Sequence, residues 1–344
     1  MDAFRNFTTF KIDPLTEIRN AGIVTSGDVF WVSSVSDDQH RTRTKDLGRK
    51  WVKETVNAAV ADSRDNHNDY IMVIPTDGGS VVNLGTAIDI TKDRLHLLGV
   101  GNKPTPQAYG GLTYRGYVAA SGVDTELIAI NGAGVEIGGL KFLGTSGTHT
   151  GGTMTALMRI GTSANGTPHD LWVHDVHVES TQAAADNGTA DIVTFVGNVP
   201  GGIQGARFDR CWIGNWSWNP TNGVVNMGNA GTAGPTRTEF RDTTFMVDTQ
   251  ATTDKLVVLG TGVTEYTLFD RCRFINVEAG TAPASALTGA LLVDNPVLLF
   301  DCKAVNITQV GTDTEAYKSP VSSGTQAALF DYGIAVGTAA LAPA

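Results

Sequence analysis

The chain has 344 residues, 41% of them hydrophobic and only 17% charged, with 40 glycines. That describes a turn-rich chain with ample material for a core, and it excludes a disordered one. A formal net charge of −10, with no local cluster of lysine or arginine, repels phosphate backbones and sets nucleic acid aside as a partner.

Residues 1–45 read as an N-terminal arm with a first strand, 46–316 as a capping helix followed by a strand repeat, and 317–344 as a C-terminal arm. The start, Met1 to Phe10, lacks the basic stretch and apolar run of a secretory signal. No window reaches the about 18 uninterrupted apolar residues of a membrane span, so the expectation is a soluble protein made in the cytoplasm. Asp46–Asp65 predicts an amphipathic helix, because Trp51, Val52, Val56, Ala59 and Val60 fall on one face. Tyr70–Pro75 reads as a buried strand, and Ile88–Ile90 and Leu95–Leu98 as two more. Gly99-Val100-Gly101-Asn102 opens like a dinucleotide fingerprint but lacks the third glycine, and Pro104 and Pro106 stand where its helix would begin.

Further along, short apolar runs recur. Six of them, starting at Leu127, Leu157, Ile192, Val224, Leu256 and Leu291, end in a turn residue. Each is followed by a second strand-like run, marked by Ile137, Val173, Phe208, Phe240, Phe269 and Phe300, at steps of 29 to 36 residues. Ile130, Ile160, Phe195, Met227, Leu259 and Val293 mark the first set, at steps of 30 to 35. The runs are too short for helical repeats, and a propeller blade needs four strands in about 40–45 residues. Two or three strands per coil match an all-β, right-handed parallel β-helix, whose first coil needs a cap that the helix can supply.

Stacking coils makes equivalent positions into columns. Asp209, Arg241, Asp270 and Asp301 form one, and Arg210, Asp242, Arg271 and Cys302 the next; their alternating signs suit register, not acid–base chemistry. Cys211 and Cys272 share a column with Thr243 between them. That places them about 9–10 Å apart, too far for a disulfide, and the three cysteines read as buried fillers.

His169, His174 and His177 with Asp170 and Asp175 are the densest titratable group. Three residues apart on one strand, His174 and His177 point to opposite faces and read as solvated. No nucleophile elbow, Walker sequence or zincin motif is present, so no catalytic, cofactor or metal residue is assigned. Asn165-Gly166-Thr167 and Asn187-Gly188-Thr189 read as tight turns. Trp212, Trp216 and Trp218, around a Gly-Asn turn, are candidates for a subunit interface or a glycan contact. Tyr332, Ile334 and Val336 lie in a small-residue apolar tail, a candidate docking arm that needs a partner subunit or a lattice to hold it.

The order of amphipathic helix, strand ending in proline and glycine-rich coils resembles the pectin-lyase-like β-helix superfamily over residues 46–310. Gly22 to Val35, Asn68-Asp69-Tyr70 and Tyr332 to Val336 look like parts of β-helical virion proteins of environmental tailed bacteriophages. That resemblance implies a capsid decoration, or cement, protein on the outer shell of the virion, with Tyr332, Ile334 and Val336 in its candidate capsid-docking arm. Its partners would be the major capsid protein and its own copies, in a homotrimer. The alternative is a tailspike-type glycan-binding protein or polysaccharide depolymerase with a host glycan as partner. Pectin-lyase-like enzymes carry an acidic cluster or calcium site on one exposed sheet, and no such cluster aligns in this sequence.

Overall fold

A computed structural model describes residues 27–32, 45, 50–73, 81–84, 87–99, 117–121, 126–144, 156–162, 168–180, 191–197, 202–214, 223–227, 234–248, 256–260, 263–277, 285–288, 297–307 and 309–311. Every pairing between the strands of its three sheets is parallel, and successive coils give one strand to each sheet. The first sheet has 11 strands and the second and third have 8 each. This is the expected parallel β-helix.

Two columns of left-handed residues shape the coil. Gly139, Asp175, Arg210, Asp242, Arg271 and Asp301, all with φ between 45° and 66°, turn the chain from the first sheet into the second. A second column, Asn68, Arg94, Gly134, Asp170, Gly205 and Arg237, also at positive φ, lies two residues before the first-sheet residues Tyr70, His96, Glu136, Trp172, Arg207 and Glu239, with Arg237 at an irregularity inside Pro235–Arg241. Glycine, asparagine and aspartate reach this region readily. Arginine does not, and three of these arginines are tied to acids: Arg210 to Asp175 at 2.7 Å, Arg271 to Asp242 at 2.8 Å and Arg237 to Glu265 at 2.9 Å.

In the first sheet alternate residues such as Ile137, Val173, Phe208, Phe240 and Phe269 are buried and build the core. Phe208 stacks on Phe240 at 5.0 Å and Phe240 on Phe269 at 5.2 Å, while Phe245 stacks on Phe274 at 5.2 Å. In the third sheet Ile130, Ile160, Phe195, Met227 and Leu259 follow one another in register, as the repeat predicts.

Three expectations are corrected. The partner of Phe269 is Leu299, so Phe300 faces outward opposite Asp270. The outward column is therefore Asp209, Arg241, Asp270 and Phe300. The turn column ends in Asp301, and Cys302 stacks one coil from Cys272. Second, the strand paired with Val257–Leu259 is Ser285–Thr288, so the run at Leu291, with Val293, does not hold that place; both lie outside the described residues. Third, of the described residues within Asp46–Asp65, Val56–Asp62 is the helical part. Val52–Lys53 is instead a strand beside Trp31 and Val32, because the open edge of Val29–Val32 offers backbone hydrogen bonds that override helical periodicity. Thr55, extended at φ −135°, caps the helix by accepting the Ala58 N–H at 3.1 Å. Val56, Ala59 and Val60 are buried against the first coil, which they cover as a cap.

Buried Asp69 joins helix to sheet. Its carboxylate accepts the N–H groups of Asp28 and Arg64, both at 2.7 Å, and lies 2.6 Å from His67 Nδ1. Burial would raise its pKa, but these bonds win and hold it below the ordinary range.

Candidate functional site

The outer face of the first sheet carries the best-defined polar constellation among the described residues. One outward column runs Tyr70, His96, Glu136, Trp172 and Arg207 across successive coils. The next outward column contains Leu98, Gly138, His174 and Asp209.

Glu136 sits between two imidazoles. His96 Nδ1 is 2.5 Å from Oε2 and His174 Nε2 is 2.9 Å from Oε1, while His174 Nδ1 lies 3.0 Å from Asp175 Oδ2. Both nitrogens of His174 thus face carboxylate oxygens, and only the imidazolium can donate to both. Asp175 in turn receives both arms of Arg210, at 2.9 and 2.7 Å. The chain of contacts joins the coils of His96, Glu136, His174 and Arg210.

The electrostatics follow from that wiring. Burial would raise Glu136, but the hydrogen bonds from His174 and His96 and their charge overcome it and hold the carboxyl at about 2. Burial would lower His174, and its bonds to Glu136 and Asp175 reverse that and raise it. Asp242 is held low by its bond from Arg271. A carboxyl pushed down is the wrong way round for a general acid, which needs its pKa raised toward the working pH.

Aromatic rings flank the network. Tyr70 stacks on His96 at 4.2 Å and 8°, and Trp172 lies 4.3 Å from His174. Trp172 donates its indole N–H to Asp209 Oδ2 at 2.8 Å, and with 40% of its surface exposed it is the largest exposed hydrophobic side chain described. Gly138 makes room for the arrangement. A Cβ there would come within 2.4 Å of His174 Cε1 and 2.5 Å of Nε2.

The histidines singled out in the sequence fall apart in space. His174 and His177 are on different strands and different sheets, because the left-handed Asp175 turns the chain between them. Neither is solvated: His174 is half-buried, and His177 is buried 3.0 Å from Glu179, which also pairs with Lys141. Burial would raise Glu179, but His177 and Lys141 hold it down. His169 is remote from both, bridged to Gln204. Trp212 lies half-buried beside His177, its indole N–H given to the Gly214 carbonyl at 3.0 Å. Trp216, Trp218, Tyr332, Ile334 and Val336 lie outside the described residues.

The cysteine column also has its own chemistry. Cys211, Cys272 and Cys302 are free, and with Thr243 each points its side chain at a backbone carbonyl of the preceding coil: Val173, Phe240, Phe269 and, for Thr243, Phe208. Burial pushes the Cys211 thiol up to about 12 and that of Cys272 well above the usual value, so both are packing groups and not nucleophiles.

Sequence reasoning missed His96 and Glu136, which are 40 residues apart and meet only through register, and Trp172, which reads as an ordinary strand residue. Among the described residues no group of histidine, cysteine, aspartate and glutamate is arranged to hold a metal ion, and no helix is long and apolar enough to cross a membrane. In comparison with known proteins, the chain matches no family model, no curated protein and no solved structure.

Proposed function

We propose that this chain is a structural virion protein of a tailed bacteriophage, a decoration protein attached to the outside of the capsid as a homotrimer. The observation that carries the structural part of this reading is the wiring of the first sheet. Its carboxylates Glu136, Asp175, Asp209 and Asp270 are all tied to histidine or arginine. A face neutralised in this way braces the coils and offers no poised acid or base. The virion setting rests on the resemblance of Gly22 to Val35, Asn68 to Tyr70 and Tyr332 to Val336 to phage β-helical proteins. A net charge of −10 suits the outer side of a shell that holds nucleic acid within.

Attachment is assigned to the terminal arms, with the major capsid protein as partner. Deleting Met1–Ile18 or Tyr332–Ala344 is expected to abolish occupancy on purified particles while the far-ultraviolet spectrum of the coils is kept. Unchanged occupancy rejects the reading. So does release of reducing ends when the pure protein is incubated with host polysaccharide, which would make it a depolymerase.

A further inference from the structure

The surface of the second sheet departs from the pattern of the outward charge columns described for the first sheet. Where charged side chains stack on neighbouring coils of the first sheet, their signs alternate: Asp209, Arg241 and Asp270 in one column, and Asp175, Arg210, Asp242 and Arg271 at the turn. On the outer face of the second sheet Arg273 stands directly opposite Lys303, one strand spacing of about 4.8 Å away. Like charges so placed repel. Both side chains are exposed, and neither forms an ion pair with a described carboxylate.

Beside this pair, on the same face, Ile275 stands opposite Val305. Val305 is 51% exposed and the neighbouring Val277 38%; with Trp172 they are the exposed large hydrophobics among the described residues. Stacked cations and uncovered aliphatic groups on one patch have a common physical remedy, a surface that brings carboxylates and excludes water.

We propose that this patch, built on Arg273, Ile275, Val277, Lys303 and Val305, is where one copy of the chain docks on another. The occupant follows from charge complementarity: the chain carries 35 acidic against 25 basic residues, so a second copy is itself an acidic surface. None of these five residues is acidic, and Asp242, the carboxylate whose charge Arg273 senses, is already paired with Arg271. A twofold axis through the patch would set cations against cations, so the patch meets a different, acidic face of its neighbour, and in the homotrimer proposed above that contact is heterologous. A heterologous contact that closes gives a ring of three or more, not a dimer. The inference names the surface for the self-association in the function proposed above.

Sedimentation velocity of the full chain at about 50 mM and about 500 mM salt tests it, since the second condition screens most surface attraction. The wild type is expected as a trimer or larger ring that loosens at high salt. Arg273→Glu with Lys303→Glu, and separately Val305→Asp, are each expected to weaken association by about tenfold or more. The milder Lys303→Gln guards against a folding defect, and an unchanged circular-dichroism melt confirms the fold of every variant. A monomer, a twofold dimer, or a ring unmoved by these well-folded variants overturns the proposal. The two readings fail separately: a monomer that still occupies particles removes this interface and the trimer but leaves the virion function, whereas a salt-sensitive ring that never binds particles removes the virion function alone.

Discussion

Gly138 decides the placement of a titratable group without carrying any chemistry itself. Its missing side chain is the seat of the His174 ring, so Gly138→Ala is expected to push the imidazole off Glu136. In a pH titration followed by NMR, the His174 pKa should fall toward the ordinary value of about 6.5 and that of Glu136 should climb from about 2 toward about 4.3. An unaltered His174 titration would refute the assignment. The same contacts set a pH window for stability. His174 is raised in the folded state, so its contribution is full below about pH 6.5 and is lost as pH rises through its folded value. Glu136 is depressed, so its contribution is full above about pH 4.3 and is lost as pH falls toward its folded value. The network is therefore strongest between those limits. Solvent at the sheet surface screens it, leaving Glu136 roughly 1–2 kcal/mol. Urea unfolding of the wild type should show this optimum, and Gly138→Ala should flatten it.

The stacked strand is the element that carries the energy. Phe240 is buried in the middle of a column between Phe208 and Phe269, and it also meets the edge of Phe245. Phe240→Ala removes ring contacts to two neighbouring coils and leaves a cavity, at an expected cost of about 3–5 kcal/mol. The helix cap is a smaller device: Thr55→Ala loses one N–H acceptor at the start of a helix of 7 residues, worth about 1 kcal/mol. Chemical denaturation of the two variants should separate them by that margin. Equal losses would mean that the coils draw their stability from the cap and not from the aromatic column.

Among the described strands each coil pairs only with its neighbours, so stability is a sum of local terms joined by nearest-neighbour contacts. The interior coils around Phe208, Phe240 and Phe269 have aromatic partners on both sides. The described strand Lys303–Val305 pairs on one side only, with Arg273–Ile275. Native-state hydrogen exchange should therefore find the slowest amides between Phe208 and Phe269 and markedly faster ones at Lys303–Val305. Uniform protection along the rod would mean one all-or-none unit in place of a chain of coupled coils.

The repeat was legible because inward positions must be apolar in every coil, and Ile137, Val173, Phe208, Phe240 and Phe269 do stand in one column. The alternating charges Asp209, Arg241 and Asp270 were legible for the same reason, since they sit next to those markers. Phe300 misled by hydrophobicity: Leu299 and Phe300 are both apolar, and only the pairing with Phe269 and Asp270 says which one turns inward. Trp51 and Val52 misled through periodicity, because a helical face and an edge strand can share those residues until a neighbouring edge claims them. The contact of His96, Glu136 and His174 left no local trace, since its members are separated by 40 and 38 residues. Composition and pattern alone thus determine that the chain coils and, where apolar and polar residues alternate, which side chains face in. Which outward groups meet depends on the length of each coil and on where its left-handed turns fall, and only the stacked structure decides that.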